Sequence, residues 1–392
     1  MIRVSFKIVL AVTVLLNTCS DVAATGIRVR LFTAMKPQAA IFTARAGDYE
    51  IEIPGREPLL AVAGEPVLLF SAEGKVGVTT RHGRGLLADS LLLRVAGSSG
   101  VEGRFTLYIP AMAGSEREYS DGLFCRSDDG IFLILNETTV ENYLAGVVRA
   151  EGGPGRPVEF YRVQSILART FAWQNLGKHL SDGYNLCDDV HCQAYHGTSD
   201  DKTVAEAVRS TEEIVVAGRD SVIVLAAFHS NCGGQTASSE EAWVTALPHL
   251  KSVRDPHCTS SRNATWKASV PAKTWSDFLV SRGVSSQVAS QGEMKFIQDT
   301  RKQYFVPEAG VSIPVALIRS EFGLRSAYFS LSASADSVRF EGRGYGHGVG
   351  LCQEGAMAMA LEGYTCNEII AFYFQDVILV KTEFVKFPPP VK

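Results

Sequence analysis

Short apolar runs dominate the first third of the chain. Ile27–Phe32, Tyr49–Ile53, Pro66–Phe70, Val76–Thr80, Ser90–Val95, Phe105–Ile109 and Ile131–Leu135 are each about one strand long, with Gly, Pro and Asp between them. This pattern predicts a β-rich region. At Thr138 the period changes. Val140, Tyr143, Leu144, Val147 and Val148 recur at helical spacing behind a Thr138-x-x-Glu141 capping box. Glu151 falls eleven residues after Val140, about 20° away around a 3.6-residue helix, so a carboxylate closes the apolar face. Gly152-Gly153-Pro154-Gly155 stops the helix. A second helix starts at Pro157, carries Phe160, Val163, Leu167 and Phe171 as its stripe, and ends by Gly177. Asp200–Ala217 reads as a helix and turn, and Val222–His229 as a strand buried on both faces. A strand at Ser337–Phe340, a Gly-rich loop at Gly342–Gly350, a helix at Cys352–Glu362 and a strand at Val377–Val380 follow. The expected class is mixed α/β (α+β), with two long helices and a buried sheet behind a β-rich N-terminal region.

Composition narrows the partners. The 392 residues are 46% hydrophobic and 20% charged, an ordinary globular balance that argues against disorder or a coiled coil. With 38 basic against 42 acidic residues, the basic footprint of a nucleic-acid binder is absent. The N-terminus reads as a targeting segment. Arg3 and Lys7 precede the apolar core Ile8–Leu16, and Val22-Ala23-Ala24 is a small-residue cleavage site. We expect a signal peptide over 1–24 and a mature chain from Thr25, in the periplasm or cell envelope. Two alternatives are an uncleaved segment that tethers the protein to the membrane and a lipoprotein, since Leu16-Asn17-Thr18-Cys19 loosely resembles a lipobox. Export leaves seven cysteines in an oxidising compartment, an odd number.

Four segments carry the candidate chemistry. Glu151 faces two effects that raise a carboxyl pKa, an apolar face and the negative end of a helix dipole. The loop His179-x7-Cys187-x3-His191-Cys192 offers two imidazoles and two thiolates, enough for a tetrahedral zinc site, while a Cys187–Cys192 disulfide fits the same spacing. His229-Ser230-Asn231-Cys232-Gly233-Gly234 ends a strand in a polar turn that suits a ligand or a bridge. In Gly342–Gly350, alternating glycines allow close backbone approach, and Tyr345 and His347 project from one side if the segment is extended.

The order of these segments resembles the SpoIID/LytB family of cell-wall proteins. The match lies in "VENYLAGVVRAEGG", "VQSILARTFAW", "CDDVHCQAYHG", "HSNCGGQTASSEEAW", "LPHLKSVRDPHC" and "GRGYGHGVGLCQEGAMAMALEGYTCNEIIAFYF". It covers roughly residues 100–382, weakly near 262–335. The implied division is a β-rich region over 25–120 and a SpoIID-like catalytic domain over 121–385, with a variable insertion near 262–335. The resemblance implies a peptidoglycan lytic transglycosylase that leaves 1,6-anhydro ends, with Glu151 as its acid and base. It also implies a structural zinc on His179, Cys187, His191 and Cys192. A Cys232–Cys258 bridge and a Cys352–Cys366 pair then follow, with Cys125 left over. Arg169, Gln193, Ser230, Asn231, Tyr345 and His347 are our candidates to line the glycan groove. The partners implied are peptidoglycan glycan strands and other wall hydrolases such as amidases. This chain departs from the family in placing Gly-Gly-Pro-Gly after the acid, where a Met-Pro turn is usual. Two rivals remain: a non-catalytic wall-binding or amidase-enhancing protein, and a thiol hydrolase pairing His347 with Cys352 or His229 with Cys232.

Overall fold

A computed structural model describes residues 26–387 apart from 82, 84, 98–101, 244 and 292. The predicted signal peptide, with Cys19, lies outside the described residues. Among those described, no helix is long and apolar enough to cross a membrane. The fold is mixed α+β. A seven-stranded sheet runs in the order Leu186–Cys187, Ile27–Arg30, Ile131–Thr138, Gly122–Asp128, Ser90–Val95, Tyr49–Glu52 and Leu59–Ala61. A six-stranded sheet runs Arg117–Ser120, Arg104–Tyr108, Ala39–Ala46, Pro66–Ala72, Lys75–Thr79 and Leu86–Ala88. The two pack face to face, and the alternating burial of Ile27–Arg30 and Tyr49–Glu52 is the pattern of strands with one face in a core. Strands from either side of residue 120 share the seven-stranded sheet and one core.

That core continues into two helices, α1 (Val140–Gly152) and α2 (Val158–Asn175). The five predicted stripe residues of α1 are all buried. Its cap differs from expectation. Thr139, not Thr138, accepts the Asn142 N–H at 3.2 Å, because the Thr138 hydroxyl is taken by Asp121 Oδ2 at 2.6 Å. A run of ring contacts from Phe42 through Phe105, Tyr119 and Tyr195 reaches Tyr143 on α1, joining sandwich to helix. Gly146 lets this junction close. A Cβ there would stand 2.1 Å from the Gly197 carbonyl oxygen and 2.6 Å from the Tyr195 ring.

Residues 262–335, with the strand that follows, build a separate core around Trp266, Trp275, Phe305, Phe329 and Phe340. The predicted strand Val222–His229 is mostly irregular: Val222 and Ile223 make single bridges to Lys386 and Ala217, and Phe228–His229 pairs parallel to Leu351–Cys352. Burial there recurs every third residue, at Ile223, Ala226 and His229, so a continuous apolar run was not a two-faced strand.

Candidate functional site

Glu151 occupies the last turn of α1, where the chain leaves along Gly152-Gly153-Pro154-Gly155. This exit is pinned. The Gly153 N–H closes on the Arg149 carbonyl at 3.2 Å, Gly153 having φ 71°. The Tyr161 hydroxyl donates to the Gly153 carbonyl at 2.7 Å, and Arg156 Nε to that of Gly152 at 3.2 Å. The half-buried Glu151 carboxylate accepts the Ala194 N–H on Oε1 at 3.0 Å. Burial raises its pKa above the ordinary glutamate value, against the lowering effect of that N–H.

Three buried glutamines surround this carboxyl group's backbone and its partner loop. Gln353 Nε2 reaches the Glu151 carbonyl and Gln164 Oε1, each at 3.4 Å. Gln193, next to Ala194, accepts from the Tyr143 hydroxyl at 3.3 Å. The Nε2 groups of Gln164 and Gln193 are buried without a protein partner. Buried donors of this kind cost free energy unless something accepts from them, on the order of 1–3 kcal/mol each. Gln164 and Gln353 were missed as site residues from sequence. The available signal was a glutamine set directly on the apolar stripe of α2, between Phe160 and Leu167.

The His/Cys loop lies directly upstream of Gln193 and Ala194. Leu186–Cys187 adds to the edge of the seven-stranded sheet beside Ile27–Arg30. Asp188 anchors the next turn, accepting the Phe32 and Thr33 N–H groups and pairing with Arg117 at 3.1 Å. The donor atoms of His179, Cys187, His191 and Cys192 all lie within 4.8 Å of one another. Cys187 Sγ is 3.7 Å from His191 Nδ1, and Cys192 Sγ is 3.5 Å from His179 Nε2. Asp182 stands 3.6 Å from the other nitrogen of His179, the usual place for a carboxylate that orients a ligand histidine. Two nitrogens and two sulfurs in one cluster suit a tetrahedral zinc ion.

Other predicted groove residues are placed differently. Arg169 is fully buried and forks onto Glu141 at 2.7 and 2.6 Å, with further bonds to the Ile214 and Val208 carbonyls. Its charge is spent inside the protein, where it ties α2 to α1. Asn231 is buried too, donating to Cys258 O, Ser261 Oγ and Glu354 Oε2 and accepting from the Gly233 N–H. Ser230 remains half-exposed. The Gly-rich loop is not extended. Gly344, Gly346, Gly348 and Gly350 all have positive φ, so the strand alternation that would set Tyr345 and His347 on one edge does not apply. Tyr345 is 45% exposed. His347 donates from Nε2 to the Phe228 carbonyl at 2.9 Å and accepts the Val349 N–H on Nδ1 at 3.1 Å, with its ring against Trp243. Burial pushes its pKa down to about 4, and both ring nitrogens are engaged by backbone groups. Cys352 lies against the Cys232 backbone and Cys366 sits at the start of another helix, hydrogen-bonded to Asn367, so the Cys352–Cys366 pair does not form. The imidazoles of His229 and His347 hydrogen-bond backbone carbonyls rather than thiols, which removes support for the thiol-hydrolase rival.

Comparison with known proteins fits this arrangement. Residues 128–217, which hold both helices, Glu151 and the His/Cys loop, match the family described as SpoIID, stage II sporulation protein. Stage II sporulation protein D of Bacillus subtilis is 30% identical over 254 residues, 60% of this chain and 73% of that protein. Its counterpart in Bacillus amyloliquefaciens is 30% identical over 263 residues, 61% of this chain and 73% of that one. An amidase enhancer of Bacillus subtilis is 27% identical over 288 residues, covering 60% of this chain and 40% of the relative. The chain belongs to the stage II sporulation protein D family.

Proposed function

We propose that this protein is an exported peptidoglycan lytic transglycosylase of the periplasm or cell envelope, with Glu151 as both acid and base. The observation that carries the reading is a carboxyl group with a burial-raised pKa at a pinned helix end, next to a loop and helix bearing two buried, unpartnered amide donors. A raised pKa favours the protonated form of Glu151, which can deliver its proton to the glycosidic oxygen. As the C1–O4 bond between MurNAc and GlcNAc breaks, the sugar's own 6-hydroxyl attacks C1. Its proton passes to the Glu151 carboxylate, which restores the acid. No water enters, so one carboxyl group serves both steps, unlike hydrolysis by a pair. The amide donors of Gln164 and Gln193 suit oxygen acceptors such as sugar hydroxyls and N-acetyl carbonyls.

His179, Cys187, His191 and Cys192 would hold a zinc ion, and their convergence within 4.8 Å supports that assignment. The ion would act as a structural cross-link with no open coordination position. Fixing Cys192 fixes Gln193 and Ala194 after it, and thereby the N–H that aligns the acid.

Mass analysis of purified wall after digestion tests the activity. The wild type should release muropeptides ending in 1,6-anhydro-MurNAc, each one water lighter than the reducing form, and Glu151→Gln should release none. Reducing ends as the main product would refute the transglycosylase reading. No released fragments, together with stimulation of an added amidase, would favour the non-catalytic enhancer reading suggested by the amidase-enhancer relative.

A further inference from the structure

A second group of metal-type donors lies away from the His/Cys loop. Cys232, Asp255, Cys258 and Cys352 are all fully buried, and their four donor atoms lie within 4.8 Å of one another. We propose that these four residues form a second, structural zinc site of three thiolates and one carboxylate. The proposal does not depend on the catalytic reading above.

Geometry is the first support. Zinc bonds of about 2.3 Å to sulfur and 2.0 Å to oxygen place neighbouring donors of a tetrahedron roughly 3.5–3.8 Å apart. Cys232 Sγ is 3.3 Å from Cys258 Sγ and 3.2 Å from Asp255 Oδ2. Outward movement of about half an ångström would seat the ion. Asp255-x2-Cys258 supplies two donors from one turn, the short spacing typical of zinc knuckles. Cys232 and Cys352 come from distant segments, so the ion would staple three stretches of chain.

The surroundings are the second support. Asp255 is a buried carboxylate whose hydrogen-bond partners are the Tyr373 hydroxyl at 2.9 Å, the His257 N–H at 2.9 Å and the Cys232 thiol. None carries a positive charge, and a buried carboxylate is held by pairing or by a metal. Those same contacts orient a ligand carboxylate from outside. Cys352 Sγ accepts the N–H groups of Cys232 at 3.3 Å and Gly355 at 3.4 Å, as thiolates bound to metal commonly do, and it caps the helix Gln353–Leu361 at its positive end. A Cys232–Cys258 disulfide is the competing use of these sulfurs. It would leave Asp255 and the Cys352 thiol buried against each other with no partner that neutralises the carboxylate.

The test is the metal content of the mature chain prepared with zinc supplied. With both sites filled we expect about two zinc ions per chain. The Cys187→Ser/Cys192→Ser variant should keep one, and after cobalt(II) substitution it should still show thiolate-to-cobalt absorption. Cys352→Ser should lose one relative to wild type. If either variant fails to fold, zinc-edge X-ray absorption on the wild type decides. The first site alone supplies two sulfurs per zinc, so a mean above two requires the second. A mean of two or fewer, unchanged metal content in Cys352→Ser, or a Cys232–Cys258 disulfide in the peptide map would overturn the proposal.

Discussion

Replacing Glu151 by Gln should stabilise the protein at neutral pH, and the pH dependence of that gain identifies the force that sets the acid. Two effects oppose each other at this carboxyl. Burial and the negative end of α1 disfavour the charge, while one N–H from Ala194 favours it. A single bond to a charged acceptor contributes about 1.5–3 kcal/mol. Burial prevails, since the folded pKa is raised. The sign follows from proton binding. Between the unfolded and the folded pKa the native state holds more protons than the unfolded state, so stability falls as pH rises through that window. The full contribution is present below the ordinary glutamate pKa and is lost above the folded one, at about 1.4 kcal/mol for each unit of elevation. The substituted glutamine would not titrate, and its amide oxygen can still accept from Ala194. Urea unfolding of both proteins at several pH values isolates the residue, because every other carboxyl cancels in the difference. The variant's advantage should be near zero in acid, grow across the window and then level off. The same elevation predicts that wild-type turnover declines as pH climbs through the folded pKa, when the acid loses its proton. A difference that is flat would mean the Ala194 bond balances burial, and one that favours wild type as pH rises would mean it outweighs burial; either would remove the physical basis for Glu151 as an acid.

Other substitutions probe the supports of the site. Cys187→Ser should lower Tm and zinc content together, since metal binding and folding are coupled; elemental analysis beside a thermal scan checks both. Arg169→Ala should cost about 3–5 kcal/mol in chemical denaturation by breaking the pair with Glu141. Gly146→Ala should cost about 1–3 kcal/mol and reduce turnover, because its Cβ would push on the Gly197 carbonyl and the Tyr195 ring. Tyr345→Ala should change stability by less than about 0.5 kcal/mol, whereas His347→Ala should lose about 1–3 kcal/mol with its two hydrogen bonds. Equal losses for both would contradict the observed difference in their burial.

The parts of this molecule legible in the sequence are those governed by local rules. The buried stripe of α1 followed from period, and the Gly-Gly-Pro-Gly stop placed Glu151 at the helix end. The strands that went unseen were short or alanine-rich. Ala39–Ala46 alternates in burial as a strand should, but four alanines give it little hydrophobic contrast. Side-chain roles set by distant partners were not legible at all. Arg169 looks like a ligand-binding cation until Glu141, 28 positions away, is found in bidentate contact. The alternating glycines suggested an extended loop. Positive φ at every second residue instead threads the chain beside residues 227–233, where a Cβ on Gly344 would lie 2.5 Å from the Asn231 carbonyl oxygen and one on Gly350 2.2 Å from that of Ala227.

That threading has a consequence for how the site is held. The Gly-rich loop delivers the chain into Leu351–Cys352 and the helix Gln353–Leu361, and three successive residues there serve three different networks. Cys352 joins the Cys232, Asp255 and Cys258 cluster. Gln353 turns the other way, to Gln164 and the Glu151 carbonyl. Glu354 gathers Asn231, Ser261 and Asn263 around its carboxylate. The position of the amide behind Glu151 is therefore set by a helix start that two other networks, one buried and one partly buried, hold in place. Disturbing Cys352 or Glu354 should reach the acid through Gln353, although neither hydrogen-bonds it. The Ala194 N–H is delivered to the Glu151 carboxylate by the segment that follows the His/Cys loop. Glu151 is thus held at its carbonyl by the residue after Cys352 and at its carboxylate by the segment after Cys192. In the proposed role, where Glu151 would present one proton to one oxygen, such rigidity is an advantage, because small misplacement of a catalytic group lowers the rate steeply.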